Sequence, residues 1–258
     1  MPQRGLKRGI LIAAAALVAM AGLVRAQEGL GARLSIERIG DIDTGAYTAS
    51  NGTTFTLAQD AENYLLRFVG DPETYVLYVD HASLGGRILK YDSGETALAV
   101  SGWGAVTIYT EQAPGGLPAE RSPGLKTIPP PPPLSLSEVQ KAATDEAAHL
   151  AYARGLHISF IADWAALAGD AALRALTFDA MQNAARGIDR FAARPVARAA
   201  VAAHMDSVRM ISGGRPTVTL HGRILTVTFS PRLGYDGRAS SRAIAHLLGQ
   251  IMALPTAG

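Results

Sequence analysis

Short apolar runs and turn residues alternate along the first half of the chain, at intervals of about ten positions. The runs are rich in β-branched and aromatic residues, and each ends at glycine, proline, asparagine or aspartate, as antiparallel strands joined by tight turns do. Asn51-Gly52 is the strongest hairpin signal among these turns. In the run TYVLYVD both alternating faces are apolar or aromatic, so we expect a central strand there. The predicted strands are ARLSIERI, TTFTLAQ, YLLRFV, TYVLYVD, RILKYD and GAVTIYT.

Helical periodicity replaces this pattern after residue 133. Ser135 and Glu138 have the spacing of a capping box, and they predict a helix that runs to Arg154 and stops at Gly155. Three short β-rich runs, SVRMI, PTVTLHG and ILTVTFS, predict a small three-stranded antiparallel sheet. Further helices are predicted within FIADWAALAG, from Asp170 to about Gly187, from Pro195 to about His204 and from about Ser240 to Met252.

These patterns predict an α+β fold in two parts. Residues 27–112 are expected to form an antiparallel β-meander, as a sandwich, an open barrel or a curved sheet, and residues 134–258 a helical half with the small sheet. Residues 113–133 are rich in proline and glycine and end in Pro129 to Pro133, which favours a stiff polyproline II linker. The alternative reading of that run is a ligand for an SH3-like domain.

The first 26 residues have the pattern of a signal peptide. Arg4, Lys7 and Arg8 precede an uncharged apolar run from Gly9 to Val24, and small residues stand before the expected cleavage after Ala26. The apolar run is shorter than the ~20 residues that span a bilayer, which favours cleavage over a retained anchor. The sequence therefore predicts a periplasmic or secreted protein with no stable transmembrane segment after cleavage.

Charge and composition exclude several classes of function. The full chain has a net charge of +2, but four basic residues leave with the leader, so the mature chain has a net charge of −2 and gives no support for nucleic-acid binding. Zero cysteines exclude disulfide scaffolds, thiolate zinc sites and cysteine nucleophiles. Residues 27–133 carry a net charge of −6 and residues 134–258 of +4, which predicts either docking of the two halves or an anionic partner.

No motif in the chain predicts a catalytic residue, a metal or a cofactor. The chain has no G-x-S-x-G elbow and no glycine-rich phosphate loop, and its six histidines lack paired metal-ligand spacing. The run Asp80-His81-Ala82-Ser83 contains the residue types of a catalytic triad, but neighbours this close cannot form its relay. A pair of carboxylates that are distant in sequence remains open.

The stretch SPRLGYDGRASSR, from Ser230 to Arg242, is the one candidate binding site. The final helix has an apolar stripe, and a helix start favours acidic residues because its backbone N–H groups lack partners. Here arginines surround the start, so an anion is expected near it, supplied by a ligand or by carboxylates of the protein itself. Asp236 is expected to neutralise one arginine. The candidate anion-binding residues are Arg232, Arg238, Ser240, Ser241 and Arg242, with Ser240 or Ser241 as N-cap.

Two segments also carry a family resemblance. GRPTVTLHGRILTVTFSPRLGYDGRASSRAI and ILKYDSGETALAVSGWGAVTIYTEQAPGGLPA resemble an uncharacterised family of exported bacterial proteins, classed as a domain of unknown function. The resemblance implies a Gram-negative envelope protein and brings no catalytic residues with it. We therefore expect a structural or partner-binding role, with another envelope protein or an anionic ligand as partner. The alternative is a hydrolase of envelope polymers whose catalytic residues are distant in sequence.

Overall fold

The computed structural model describes residues 42–124 and 127–253. The predicted signal peptide and the predicted strand ARLSIERI lie outside these residues. The described chain folds as a β-barrel followed by a helical half that contains a small sheet, so the predicted α+β fold is confirmed.

Eight antiparallel strands form the barrel in meander order. It closes because the last strand pairs with the first, with Tyr47 opposite Arg121 and Ala49 opposite Ala119. Closure removes the exposed strand edges that a sandwich or an open sheet would leave. The strands are β1 (Gly45–Ala49), β2 (Thr54–Asp60), β3 (Asn63–Phe68), β4 (Tyr75–His81), β5 (Arg87–Tyr91), β6 (Thr96–Val100), β7 (Val106–Thr110) and β8 (Ala113–Arg121).

Strand β8 corrects the predicted linker, because residues 113–121 form part of the barrel. Glycine and proline, such as Pro118, disfavour a strand at this place, yet β8 pairs with both β7 and β1, which provide partners for its backbone hydrogen-bonding groups. Gly116 has a positive φ of 83°, and a Cβ there would lie 2.7 Å from Thr107 and 2.8 Å from Tyr109. Glycine is thus needed where the sequence pattern indicated a break.

Apolar and aromatic side chains fill the barrel. The rings of Tyr47 and Phe55 stack with centroids 5.3 Å apart, and Phe68 links Phe55 to Tyr75 by tilted and edge-on contacts. Tyr75 meets Tyr91 edge-on at 5.2 Å. This row of rings crosses the interior, and leucines from β2 to β6 complete a buried core. The interior of the barrel is therefore filled, and the rest of the chain can contact only its ends and its outer face.

Five α-helices and four strands form the second half over residues 134–253. Its sheet has the order β11-β12-β10-β9, with helices packed against one face. The elements are α1 (Leu136–Arg154), β9 (Ser159–Ile161), α2 (Trp164–Gly169), α3 (Ala171–Phe191), α4 (Pro195–His204), β10 (Ser207–Ser212), β11 (Thr217–His221), β12 (Ile224–Phe229) and α5 (Ser241–Ile251).

This sheet differs from the three-stranded antiparallel one that the sequence predicted. It has four strands, and β10 runs parallel to both β9 and β12, while only β11 and β12 are antiparallel. Strand β9 is three residues long and precedes a helical run, so its pattern is too short to indicate a strand. The parallel pairing follows from the helical crossover between β9 and β10, which parallel neighbours require.

The predicted helix ends are confirmed at several positions. Ser135 Oγ accepts a hydrogen bond from Glu138 N at 3.3 Å, and Glu138 Oε2 accepts one from Ser135 N at 2.7 Å. Gly155 ends α1 in the left-handed conformation. Helix α3 continues past Gly187 to Phe191, however, because that glycine is a close contact with α5 rather than a stop.

Residues 127–133, which include the exposed prolines Pro129 to Pro133, lie between the two halves, and we call them the strap. Strand β8 ends at the barrel end where β1 begins, whereas Thr127 to Pro129 lie beside residues 67–72, at the opposite end. The Tyr235 hydroxyl is 3.5 Å from the Pro129 carbonyl oxygen. The chain thus lies at the barrel end that carries the β3–β4 loop before the helical half begins.

The close crossing of α3 and α5 gives a testable consequence. A Cβ on Gly187 would lie 2.7 Å from the Ile244 side chain and 2.9 Å from the Ser241 carbonyl oxygen. We expect Gly187→Ala to lower the free energy of unfolding by about 1–3 kcal/mol despite alanine's better helix propensity. Gly169→Ala is the matched control, because nothing lies within 4 Å of a Cβ there. Urea denaturation measures both, and equal stability of the two variants would contradict the packing argument.

Candidate functional site

Four barrel carboxylates lie at the end of the barrel that faces the helical half. In an antiparallel meander alternate loops share one end, and here these include the β3–β4, β5–β6 and β7–β8 loops. Glu73 belongs to the first of them, Asp92 and Glu95 to the second and Glu111 to the third. The barrel therefore presents a concentrated negative charge to the rest of the chain.

The start of helix α5 binds two of these carboxylates. Ser240 donates its backbone N–H to Asp92 at 2.7 Å and its hydroxyl to the same carboxylate at 2.5 Å. Ser241 donates its N–H to Glu73 at 2.8 Å and its hydroxyl at 2.6 Å. Ser240 Oγ also accepts from Ala243 N at 3.1 Å, so Ser240 is the N-cap. Barrel side chains thus supply the negative charge that a helix N-terminus favours.

Arginines of the helical half surround the same carboxylates. Arg242 lies 2.8 Å from Glu95 and 3.7 Å from Glu111, and Arg190 of α3 also pairs with Glu111. Arg186 of α3 is 3.7 Å from Glu73. We call this set the interface cluster, made of Glu73, Asp92, Glu95, Glu111, Arg186, Arg190, Ser240, Ser241 and Arg242.

Arg242 also contacts the aromatic core of the barrel. Its guanidinium carbon lies 4.4 Å from the centre of the Tyr91 ring, in the geometry of a cation–π contact. Burial raises the pKa of Tyr91 to about 12, so this ring remains a neutral phenol beside the arginine. The row of barrel aromatics and the interface cluster are therefore continuous.

Arg238 is held next to the cluster. It forms an ion pair with Asp179 of α3 and donates to the carbonyl oxygens of Tyr235, at 2.9 Å, and of Thr74, at 3.1 Å. Burial lowers the pKa of Arg238 to about 10, which still leaves it charged at neutral pH. Because Thr74 belongs to the barrel, Arg238 joins the two halves through a main-chain contact as well as through charge.

Burial at the cluster carries an electrostatic cost. The Glu73 side chain is fully buried, and burial raises the pKa of Asp92 even though hydrogen bonds from Ser240 act against that rise. Because the pKa of Asp92 is higher in the folded protein than in the unfolded chain, folding is favoured when Asp92 is protonated. The contribution of Asp92 to stability is therefore fully present at pH values below the usual aspartate pKa. It is lost as the pH rises through the folded-state pKa. The hydrogen bonds and nearby guanidiniums offset this desolvation.

The structure brings four of the five predicted anion-site residues together. Ser240, Ser241, Arg238 and Arg242 lie at or beside the interface cluster, whereas Arg232 is exposed and makes no ion pair or hydrogen bond within the described residues. The predicted role of Asp236 is wrong, because it accepts from Asn63 and Tyr78 and pairs with no arginine there. Binding of an external anion at this place stays a prediction.

Sequence reasoning missed the acidic partners of these residues. Glu73, Asp92, Glu95 and Glu111 are scattered over loops of the meander, and only barrel topology places them at one end. Two signals pointed to them, the opposite net charges of the halves and the arginines at the start of α5. Neither signal identifies an individual carboxylate.

A second feature is an open groove of about 420 Å³ at the carboxyl ends of the parallel strands β9, β10 and β12. Its floor contains Leu167, Leu173, Met210 and Phe229, and Arg209 stands at its side. We call it the strand-end groove. Carboxyl ends of parallel strands are where α/β sheets commonly bind ligands.

Over residues 42–124 and 127–253, no three or more histidine, aspartate or glutamate side chains are grouped so that they could hold a metal ion. None of the helices in the described part combines the length and the apolar character that crossing a membrane requires.

A protein-family model described as "Domain of unknown function (DUF4908)" matches residues 25–248. No curated protein and no solved structure matches the chain. The resemblance to an uncharacterised family is confirmed by this match, which spans the barrel, the strap and the interface cluster.

Removal of the buried charge in the cluster tests its structural role. Glu73→Gln leaves an amide opposite two donors of Ser241 and removes the countercharge of Arg186, so we expect a loss of about 3 kcal/mol in the free energy of unfolding. Glu95→Gln is the control, because Glu95 is half exposed and its loss is expected to stay below about 1 kcal/mol. Guanidinium denaturation distinguishes the two. Equal losses would contradict a role for burial at Glu73.

Substitution of the two arginines distinguishes an internal from an external anion. We expect Arg238→Ala and Arg242→Ala to lower the melting temperature equally with and without inorganic phosphate, because Arg238 already pairs with Asp179 and Arg242 with Glu95. Differential scanning fluorimetry over a phosphate series is the measurement. Phosphate stabilisation that is present in the unsubstituted protein and lost in either variant would instead indicate a true anion site.

Proposed function

We propose that this chain, which belongs to the DUF4908 family, is an exported protein of the Gram-negative cell envelope with a partner-binding rather than catalytic role. The leader pattern of residues 1–26 supports export to the periplasm or the medium. The rest of the proposal depends on how the polar groups of the chain are used.

The observation that carries the proposal is the use of Ser241 and Glu73. A serine nucleophile needs a base and open access to substrate. Ser241 is fully buried, and both its N–H and its hydroxyl donate to the Glu73 carboxylate. This serine and this carboxylate are thus used to join the two halves.

Because contacts join the two halves, the exposed surfaces of the two halves keep a fixed position relative to one another. The interface cluster, Arg238 and the strap all connect the barrel end to the helical half. The strand-end groove lies in the half that carries the net positive charge, and it is open to solvent. A partner-binding role uses such a surface without requiring groups that change protonation or form covalent bonds.

The test has two arms on the full chain. Expression in a Gram-negative host, followed by fractionation and N-terminal sequencing, is expected to give a periplasmic or secreted protein that begins at Gln27. The purified protein is then incubated with peptidoglycan, with ester and with glycoside substrates, and we expect no turnover above a heat-denatured control.

Either arm can contradict the proposal. Cytoplasmic retention with an intact leader would overturn export. Turnover that one substitution abolishes, with Ser241→Ala as the first to examine, would establish the alternative hydrolase of envelope polymers.

A further inference from the structure

The strand-end groove contains an unpaired strand edge. The last residue pair between β10 and β9 is Arg209 opposite Ile161, while β10 continues through Met210 to Ser212. Over those three residues β10 pairs only with β12 among the described strands. The side of β10 that β9 covers lower down is therefore open at the groove.

The backbone groups of Ser212 point to that open side. Asp206 accepts from Ser159 N at 3.0 Å on the β9 side, and Gly213 donates to the Phe229 carbonyl oxygen at 2.7 Å on the β12 side. In a strand, the N–H and C=O of successive residues alternate between the two neighbours. Even-numbered residues of β10 thus face β9 or the space beyond it, and Ser212 presents a free donor and acceptor there.

Apolar side chains lie beside this edge. Leu167 and Leu173 come from α2 and α3, while Met210 and Phe229 come from the sheet. Ile211, with 41% of its surface exposed, lies at the rim. An extended chain that pairs with a strand edge places alternate side chains in such a floor and obtains its affinity from main-chain hydrogen bonds.

Three arginines lie at the same end of the sheet as the groove. Arg209 lines the groove, Arg215 lies in the turn after β10 and Arg232 follows the carboxyl end of β12. All three are exposed, and within the part of the chain that the structure describes none makes an ion pair or a hydrogen bond. The carboxylate that lines the groove, Asp163, accepts from Ala166 N and caps α2. Arg209, Arg215, Arg232 and Asp163 together carry a formal net charge of +2 at this end of the sheet.

We propose that the strand-end groove binds an extended acidic segment of a partner protein, which pairs with β10 beyond the end of β9. The proposal rests on the partner-binding role and specifies its ligand. An inorganic anion would engage the arginines but would leave the strand edge and the apolar floor unused. An extended segment with alternating acidic and apolar residues meets all three features, because one face contacts the floor while the other lies on the side of Arg209.

The test uses two blocked, fluorescein-labelled ten-residue peptides, one of alternating glutamate and valine and one of alternating lysine and valine. Fluorescence anisotropy with the mature protein is expected to show at least tenfold tighter binding of the glutamate peptide. Because salt screens exposed charges, this affinity is expected to fall as ionic strength rises.

Two variants separate charge from strand pairing. Arg209→Ser is expected to weaken binding of the glutamate peptide about tenfold, while Arg198→Ser, on α4 and outside the lining of the groove, leaves it unchanged. Ser212→Pro removes the open-side N–H without removing a hydrogen bond to β12, and we expect a further loss of at least tenfold. Thermal melting confirms that each variant is folded.

Several outcomes would overturn the groove proposal. One is equal binding of the two peptides, and another is no effect of Arg209→Ser on the affinity for the glutamate peptide. A third is displacement of the glutamate peptide by phosphate together with full affinity in folded Ser212→Pro, which would indicate simple anion binding. If the groove proposal fails while the substrate screen shows no turnover, the partner-binding role stands without this site. Turnover in the screen would remove that role whatever the peptides do.

Discussion

Two carboxylates at the start of one helix, Glu73 fully buried and Asp92 partly buried, determine how the two halves of this protein fit together. Removing a carboxylate from water is costly unless donors replace the lost hydration. Glu73 and Asp92 each receive an N–H and a hydroxyl from consecutive serines of α5, and Arg186 stands beside Glu73. These donors reach the two carboxylates only when the two halves are docked. The buried charge therefore selects one orientation of the helical half, whereas apolar packing alone would tolerate several.

The same requirement accounts for features that look unfavourable in isolation. Helix α5 has no acidic residue in its first turn and instead carries Arg242 there. Across the interface, that arginine finds Glu95, Glu111 and the face of Tyr91. The opposite net charges of the two halves thus form ion pairs at the interface. The strap matters for the same reason, because it returns the chain to the barrel end where the carboxylates lie.

The sequence predicted local structure well and long-range pairing poorly. Capping at Ser135 and Asp170 depends on neighbouring residues, so both helix starts were predictable. Strand β8 was missed because Gly116 suits a strand only beside Thr107 and Tyr109, which lie in another strand. Strand β9 was missed because three residues carry no period. At the site, Arg238, Arg242 and the two serines were identified from the pattern of one helix, whereas Arg186 and Arg190 of α3 were not. Their acidic partners could not be identified, since closure of a barrel places them together.

The sequence separation within the interface cluster has a consequence for synthesis of the chain. Glu73 bonds to a residue 168 positions later, and Asp92 to one 148 positions later. The barrel is thus translated long before the helix that neutralises its end, and domains generally fold from the N-terminus during synthesis. A barrel that forms first has an acidic end until α3 and the start of α5 dock on it. A chain cut before α5 would therefore leave Glu73 and Asp92 without their four serine donors, and the barrel end would keep its negative charge exposed to solvent.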